Sequence, residues 1–423
     1  MDGDWHPADL MKQLTTSIAF TDEQIFFRFE WEQPHPGGWI HDMLVYSDGR
    51  WQQFANPSPW VARQGDPEHT GFYEDRVSFL LDDGSVKGFE EFGGWLTVHE
   101  GMRSLPSEVP GEVVSDHPHF GSAGLGRTDI RKYIPQACAG KWWENDWRKV
   151  RPTNDLEQLK ADGIFLDLPM WRAHRSNPLD YGTDHHVLEY RHSDQGRNTY
   201  STQEWTPESG PELMWDPDVV TAGALDYAKI RNGDFPDQRS ETYALSMDDA
   251  VPFDSGVAEW EGAMIPRRPL QQPHGSAADW KAVGEWRNGT WTVEMWRDLQ
   301  TGHPTDTKQL ESGGVYTWSP AIHHGAGKRW HWVAYPYKLG LGVEPTYCGD
   351  AHAHGTTELV ATPVDSDRPD WDDIEPYTIP LVFPGILTWD DLVSEDHPRS
   401  KDIRNADVTM WELYEKDPTS FLE

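Results

Sequence analysis

Apolar and polar positions alternate with a period of two along several short stretches of the chain. In Gln24-Ile25-Phe26-Phe27-Arg28-Phe29-Glu30-Trp31, the side chains of Ile25, Phe27, Phe29 and Trp31 fall on one face, with Arg28 and Glu30 on the other. This is the pattern of a half-buried strand. The same alternation groups Val77, Phe79 and Leu81 in 76–81, and Trp291, Val293 and Met295 in 290–296. Shorter apolar or aromatic runs at 17–20, 186–190 and 331–335 also read as strands. Helical periodicity is weak and local, at 127–133, 154–161, 223–230 and 407–414. Short strands divided by long Pro- and Gly-rich connections predict an all-β fold, a mainly antiparallel β-sandwich with loop-rich and short helical insertions. Residues 1–423 read as one domain, with 200–285 an insertion of loops and short helices and 346–423 a C-terminal extension.

Composition narrows the function classes. The 423 residues carry 36 Lys plus Arg against 71 Asp plus Glu, a net charge of −35. Such a field repels nucleic acid and anionic membrane surfaces. The acid is spread along the chain rather than gathered in a tail, as expected of a folded surface adapted to high salt, where screening shortens the Debye length to about 3 Å. Aliphatic content is low, but 23 Trp can build a core from large rings. Cys138 and Cys348 stand alone, which indicates neither a disulfide framework nor a thiolate metal site. No basic-then-apolar leader and no run of 18 apolar residues occurs, so the expected location is cytoplasmic, or extracytoplasmic as a passenger co-exported with a partner.

The chemistry gathers in Phe92-Gly93-Gly94-Trp95-Leu96-Thr97-Val98-His99-Glu100-Gly101-Met102-Arg103. It reads like a c-type haem attachment site, Cys-x-x-Cys-His, with Trp95 and Val98 where the two thiols would stand and His99 retained. Without thiols a haem is held non-covalently, as haem b, by packing and axial ligands. Three further stretches accompany this one: Tyr73-Glu74-Asp75-Arg76-Val77-Ser78-Phe79, Leu166-Asp167-Leu168-Pro169-Met170-Trp171-Arg172-Ala173-His174-Arg175, and Ala321-Ile322-His323-His324-Gly325 leading to Arg329-Trp330-His331-Trp332-Val333-Ala334.

In order and composition these motifs resemble the ethylbenzene-dehydrogenase haem-binding family, which includes the γ subunits of type II DMSO-reductase-like molybdoenzymes. The resemblance implies a β-sandwich that binds haem b and passes single electrons between iron–sulfur and molybdenum catalytic subunits and an external carrier in anaerobic respiration. It implies an electron-transfer subunit of an oxidoreductase rather than a site of substrate turnover. The family's axial Met and Lys are replaced: the Lys position falls on His331, and the other ligand falls at His99, with Met102 as the alternative. The expected iron ligands are thus His99 and His331, a pair that closes both axial positions and suits electron transfer. His323 is a candidate for iron or a propionate, Arg172 and Arg175 for the propionates, and His174 between them for cofactor binding. Trp95 and Trp330 are candidates for the pocket wall.

His185-His186 and Asp350-Ala351-His352-Ala353-His354 lack the spacing or thiolate partner of a strong metal motif, and surface-loop histidines are expected there. The Trp142-Trp143 pair and Trp147 suit either core packing or a ligand platform. Two rival functions stay open at this point: a carbohydrate-binding β-sandwich, given abundant Trp and acid, and a metal-dependent hydrolase using clustered His and Asp.

Overall fold

A computed structural model describes residues 11–34, 40–54, 73–238, 243–323, 331–345, 358–383 and 387–415. The fold is all-β, with short helices in its connections. In two of the three stretches that alternate at period two, the sheet buries mainly one side of the strand. Ile25, Phe27 and Phe29 are fully buried in the strand Gln24–Glu32, and Trp291, Val293 and Met295 in Thr290–Asp298. The two strands pair antiparallel with Phe29 opposite Val293 and Phe27 opposite Met295, which places the two apolar rows side by side. Each such ring or branched side chain contributes about 1.5–3 kcal/mol by leaving water. Phe27 lies 4.9 Å from Phe79 and 5.9 Å from Trp318, ring centre to ring centre, so aromatic rings carry the core as the composition implies.

The principal sheet has 14 strands. Its main path runs Lys281–Arg287, Thr290–Asp298, Gln24–Glu32, Met11–Phe20, Glu358–Pro363, Tyr337–Leu341, Val315–His323, Arg76–Asp82, Leu166–Asp167, His185–Val187, Arg191–Ser193. Part of it closes on itself. Trp332–Val333 pairs with both Val315–His323 and Tyr377–Val382, and Tyr377–Val382 returns to Met11–Phe20. Closure removes exposed sheet edges. Two of the ring's strands, Glu358–Pro363 and Tyr377–Val382, come from the C-terminal extension, so that extension is built into the sheet. The strand Arg76–Asp82 is buried on both faces, as a central strand must be.

The 200–285 region holds short strands and the helix Tyr227–Arg231. Two of its strands, Leu225–Asp226 and Ala263–Pro266, join Met43–Ser47 and Arg50–Phe54 in a separate four-stranded sheet. Helices at Thr153–Ala161 and Met410–Glu415 match the periodicity. The helix expected at 127–133 does not form. Arg103 N donates to Ile130 O at 2.9 Å and Ile134 N to Leu188 O at 2.8 Å. These long-range bonds hold the segment out, and Arg131 Nε reaches back to Asp129 at 3.1 Å. Residues two apart do not face each other on a helix. Among the described residues, no helix is long and apolar enough to cross a membrane.

Candidate functional site

Three segments wall a pocket beside the central strand. The first is the 93–105 stretch. Gly93 adopts φ +54°, and a Cβ there would lie 3.0 Å from Pro336 Cδ, so only glycine fits this turn. The 3₁₀ turn Gly93–Thr97 follows and turns Trp95 and Val98 into the wall. His99 then faces the other way. Its Nε2 hydrogen-bonds Tyr133 O at 3.1 Å and its ring stacks on Tyr133 with centres 3.8 Å apart. Burial pushes the His99 imidazole down to about 3, so it is neutral. The chain reverses at Gly101, φ +80°, and carries Met102 into the pocket wall.

The second wall comes from the hairpin that ends at His323 and resumes at His331. The two imidazoles stack with ring centres 4.8 Å apart, and both line the pocket. His323 is buried, and its Nδ1 has no hydrogen-bond partner among the described residues. Burial, reinforced by His331, Arg76, Arg172 and Arg191, holds its pKa well below the ordinary histidine value. A neutral imidazole with a bare nitrogen is a metal ligand in waiting.

The third wall is cationic. Arg76, Arg103, Arg131, Lys132 and Arg191 all line the pocket, and among the described residues no Asp or Glu does. Three of these cations are balanced from behind: Arg103 and Arg131 by Asp129 at 2.5 and 3.0 Å, and Arg76 by Glu74 at 3.3 Å. Lys132 Nζ instead donates to the Thr97 hydroxyl at 2.9 Å. Burial and then the Arg191 charge lower the Lys132 ammonium to about 8. Arg191 is brought down to about 9 by burial, Arg131 and Arg76, against the opposing pull of Tyr200 and Tyr190. In a chain of net charge −35, a pocket that concentrates cations is built for an anion. Leu168, Met170, Val333, Phe383 and Leu387 complete it with apolar surface. The space between the walls, counted out through the open mouth into solvent, is about 1180 Å³.

The structure thus brings together Met102, His323, His331 and Trp95 from among the residues singled out in the sequence. It places His99 behind the wall. Arg172, His174 and Arg175 do not line the pocket. His174 and Arg175 sit against Glu74, which accepts from His174 N and Arg175 N, each at 2.8 Å, and from Arg175 Nε at 2.7 Å, while Arg172 Nε donates to the Thr183 hydroxyl at 2.9 Å. Trp330, like His352 and His354, lies outside the described residues. Trp142 packs with Trp389 at 5.9 Å, and Trp147 with Phe120 at 6.0 Å, which is core packing away from the pocket. Lys132, Arg131 and Arg191 escaped sequence reasoning. The one signal was Arg131-Lys132, adjacent cations in a chain with twice as many acids as bases.

These residues fit a haem: a thioether and two imidazoles as ligands, apolar walls for the macrocycle, and cations for its propionates. A family model described as ethylbenzene dehydrogenase matches residues 7–334. No curated protein matches the chain.

Proposed function

Because the chain belongs to the ethylbenzene dehydrogenase family, we propose that it is a haem b-binding electron-transfer subunit of a molybdenum oxidoreductase, working with iron–sulfur and molybdenum catalytic subunits. The observation that carries this reading is the meeting of Met102, His323 and His331 with five cations on one pocket that no Asp or Glu lines among the described residues. When bound, haem b supplies a reversible one-electron couple. Met102 and His331 would hold the iron, in place of the pair His99 and His331 expected from the sequence, since His99 is turned onto Tyr133. His323 stacks on His331 and orients it, or takes the iron in its stead. Lys132 and Arg191 would receive the propionates, exchanging an uncompensated cation pair for charge-assisted hydrogen bonds. Trp95, Val98, Val333 and Phe383 keep water from the macrocycle, which together with axial ligand choice tunes the reduction potential. A thioether in place of one imidazole raises that potential.

Titration of the protein with hemin tests this. One equivalent is expected to give a Soret band that shifts on reduction, with low-temperature magnetic circular dichroism showing His/Met ligation. Met102→Leu should remove the thioether signature while leaving haem bound. No Soret shift in the wild-type protein would refute haem binding, and a bis-imidazole spectrum unchanged in Met102→Leu would refute the ligand assignment.

A further inference from the structure

A second cluster lies on the hairpin formed by His185–Val187 and Arg191–Ser193. The expectation of surface-loop histidines fails here: His185 and His186 are each 4% exposed and belong to a strand. His186, Asp194 and Asp306 converge, one potential ligand atom from each lying within 4.8 Å of the others. His186 Nδ1 is 2.6 Å from Asp194 Oδ1 and 4.0 Å from Asp306 Oδ1. Asp194 is 4% exposed, yet its Oδ2 is buried with no hydrogen-bond partner among the described residues. A buried carboxylate oxygen left without a donor is costly unless something else satisfies it.

Asp306 is held in place by three donors. Ser276 Oγ and Gln195 N reach Oδ2 at 2.6 and 3.2 Å, and Lys160 Nζ reaches Oδ1 at 2.5 Å. This is the kind of support that fixes a metal-binding carboxylate. His186, Lys160 and Gln195 also line an open cleft, which offers an entry path. One imidazole and two carboxylates suit borderline or hard divalent ions, and two carboxylates balance a dication when the imidazole is neutral.

We propose that His186, Asp194 and Asp306 form a binding site for a divalent transition-metal ion, zinc or manganese, separate from the cationic pocket. The site ties the hairpin to the 299–308 loop that supplies Asp306, with remaining coordination positions open to water from the cleft. In the metal-free state Lys160 is the positive charge nearest Asp306, and it competes with the ion.

The test uses full-length protein, stripped with chelator and free of haem, titrated with zinc and with manganese. Retained metal is measured by elemental analysis and affinity by calorimetry. About one equivalent of one ion is expected. Asp194→Asn should weaken its binding at least tenfold, roughly the scale of losing ligand support, while Lys160→Met tightens it. His323→Ala should leave it unchanged. Retention of neither ion by the wild type overturns the proposal, as does binding abolished by His323→Ala. Should Asp194→Asn fail to fold by circular dichroism, Lys160→Met decides: unchanged or weaker binding there counts against the site.

Discussion

Two arginine-rich regions meet at Arg76, and they are built on opposite terms. On one side, Glu74 takes the backbone N–H groups of His174 and Arg175 and the Arg175 guanidinium, and pairs with Arg76. Beside it, Asp75 Oδ2 takes Gln33 Nε2 at 2.7 Å and Trp291 Nε1 at 2.9 Å. Both carboxylates there are met by donors or counter-charges among the described residues. Across Arg76, the pocket holds Lys132 and Arg191 with no carboxylate on its wall among the described residues. The contrast separates structural arginines from functional ones. A buried cation paired within the chain holds the fold together, whereas one left facing a cavity is kept for something that arrives from outside.

Breaking the saturated side should cost most. Glu74→Gln leaves Arg175 and Arg76 buried without their carboxylate and is expected to lower unfolding free energy by about 3–5 kcal/mol, read by chemical denaturation. Its pH dependence can be stated with its sign. Burial opposes ionisation of Glu74, but Arg175, Arg76 and Arg172 outweigh it and hold the carboxyl at about 2, against an ordinary value of 4.5. A depressed acid contributes stability above its unfolded pKa and loses it as pH falls through the folded one. The wild type should therefore shed stability between pH 4.5 and about 2, and the Gln variant should not shed this share. A variant as stable as wild type at pH 7 would erase the distinction between the two regions.

An intermediate effect is expected at His99. His99→Phe keeps the stacking on Tyr133 but strands the Tyr133 carbonyl, at a cost of about 1–3 kcal/mol, while hemin binding persists. Loss of the haem spectrum in a folded His99→Phe protein would restore His99 as a ligand and break the assignment to Met102.

The smallest stability effect belongs to the unsaturated side. Lys132→Met and Arg191→Met should leave the ligand-free protein within about 1 kcal/mol of wild type, because no carboxylate on the pocket wall is stranded. Each should weaken hemin binding by about tenfold, the worth of one charge-assisted hydrogen bond. With the Lys132 ammonium at about 8 in the free protein, wild-type affinity should be level below pH 8 and fall as pH rises past it, since only the protonated amine pairs with an anion. Fluorescence quenching by hemin across pH 6–10 reads this, and an equal fall in Lys132→Met would assign it elsewhere.

Residues 24–32 and 290–298 were legible as strands because one-sided burial writes a period of two into the sequence, whereas 76–82, buried on both faces, showed the alternation of Val77, Phe79 and Leu81 without one-sided burial behind it. The glycine-punctuated 92–103 stretch was legible as a candidate site, since turns and candidate ligands are local, and the structure puts Trp95, Val98 and Met102 on a pocket wall. The strand Trp332–Val333 was legible within the 331–335 run, but its closure through Tyr377–Val382 was not, because pairing between distant strands leaves no local pattern. Nor was the non-helical course of 127–133, where bonds to residues 103 and 188 overrule local preference.

By itself the sequence determined the fold class, the acid-rich surface, and the candidacy of Met102, His323 and His331, all properties of composition or of neighbours in the chain. Only the tertiary structure decided that His99 turns inward onto Tyr133, that Arg175 serves Glu74 and Arg172 turns to Thr183, and that Lys132 and Arg191 face the cavity. Whether a charged or ligating side chain is structural or available depends on what lies across the space in front of it. In this protein those partners come from segments dozens of residues away, a distance over which local pattern carries no record.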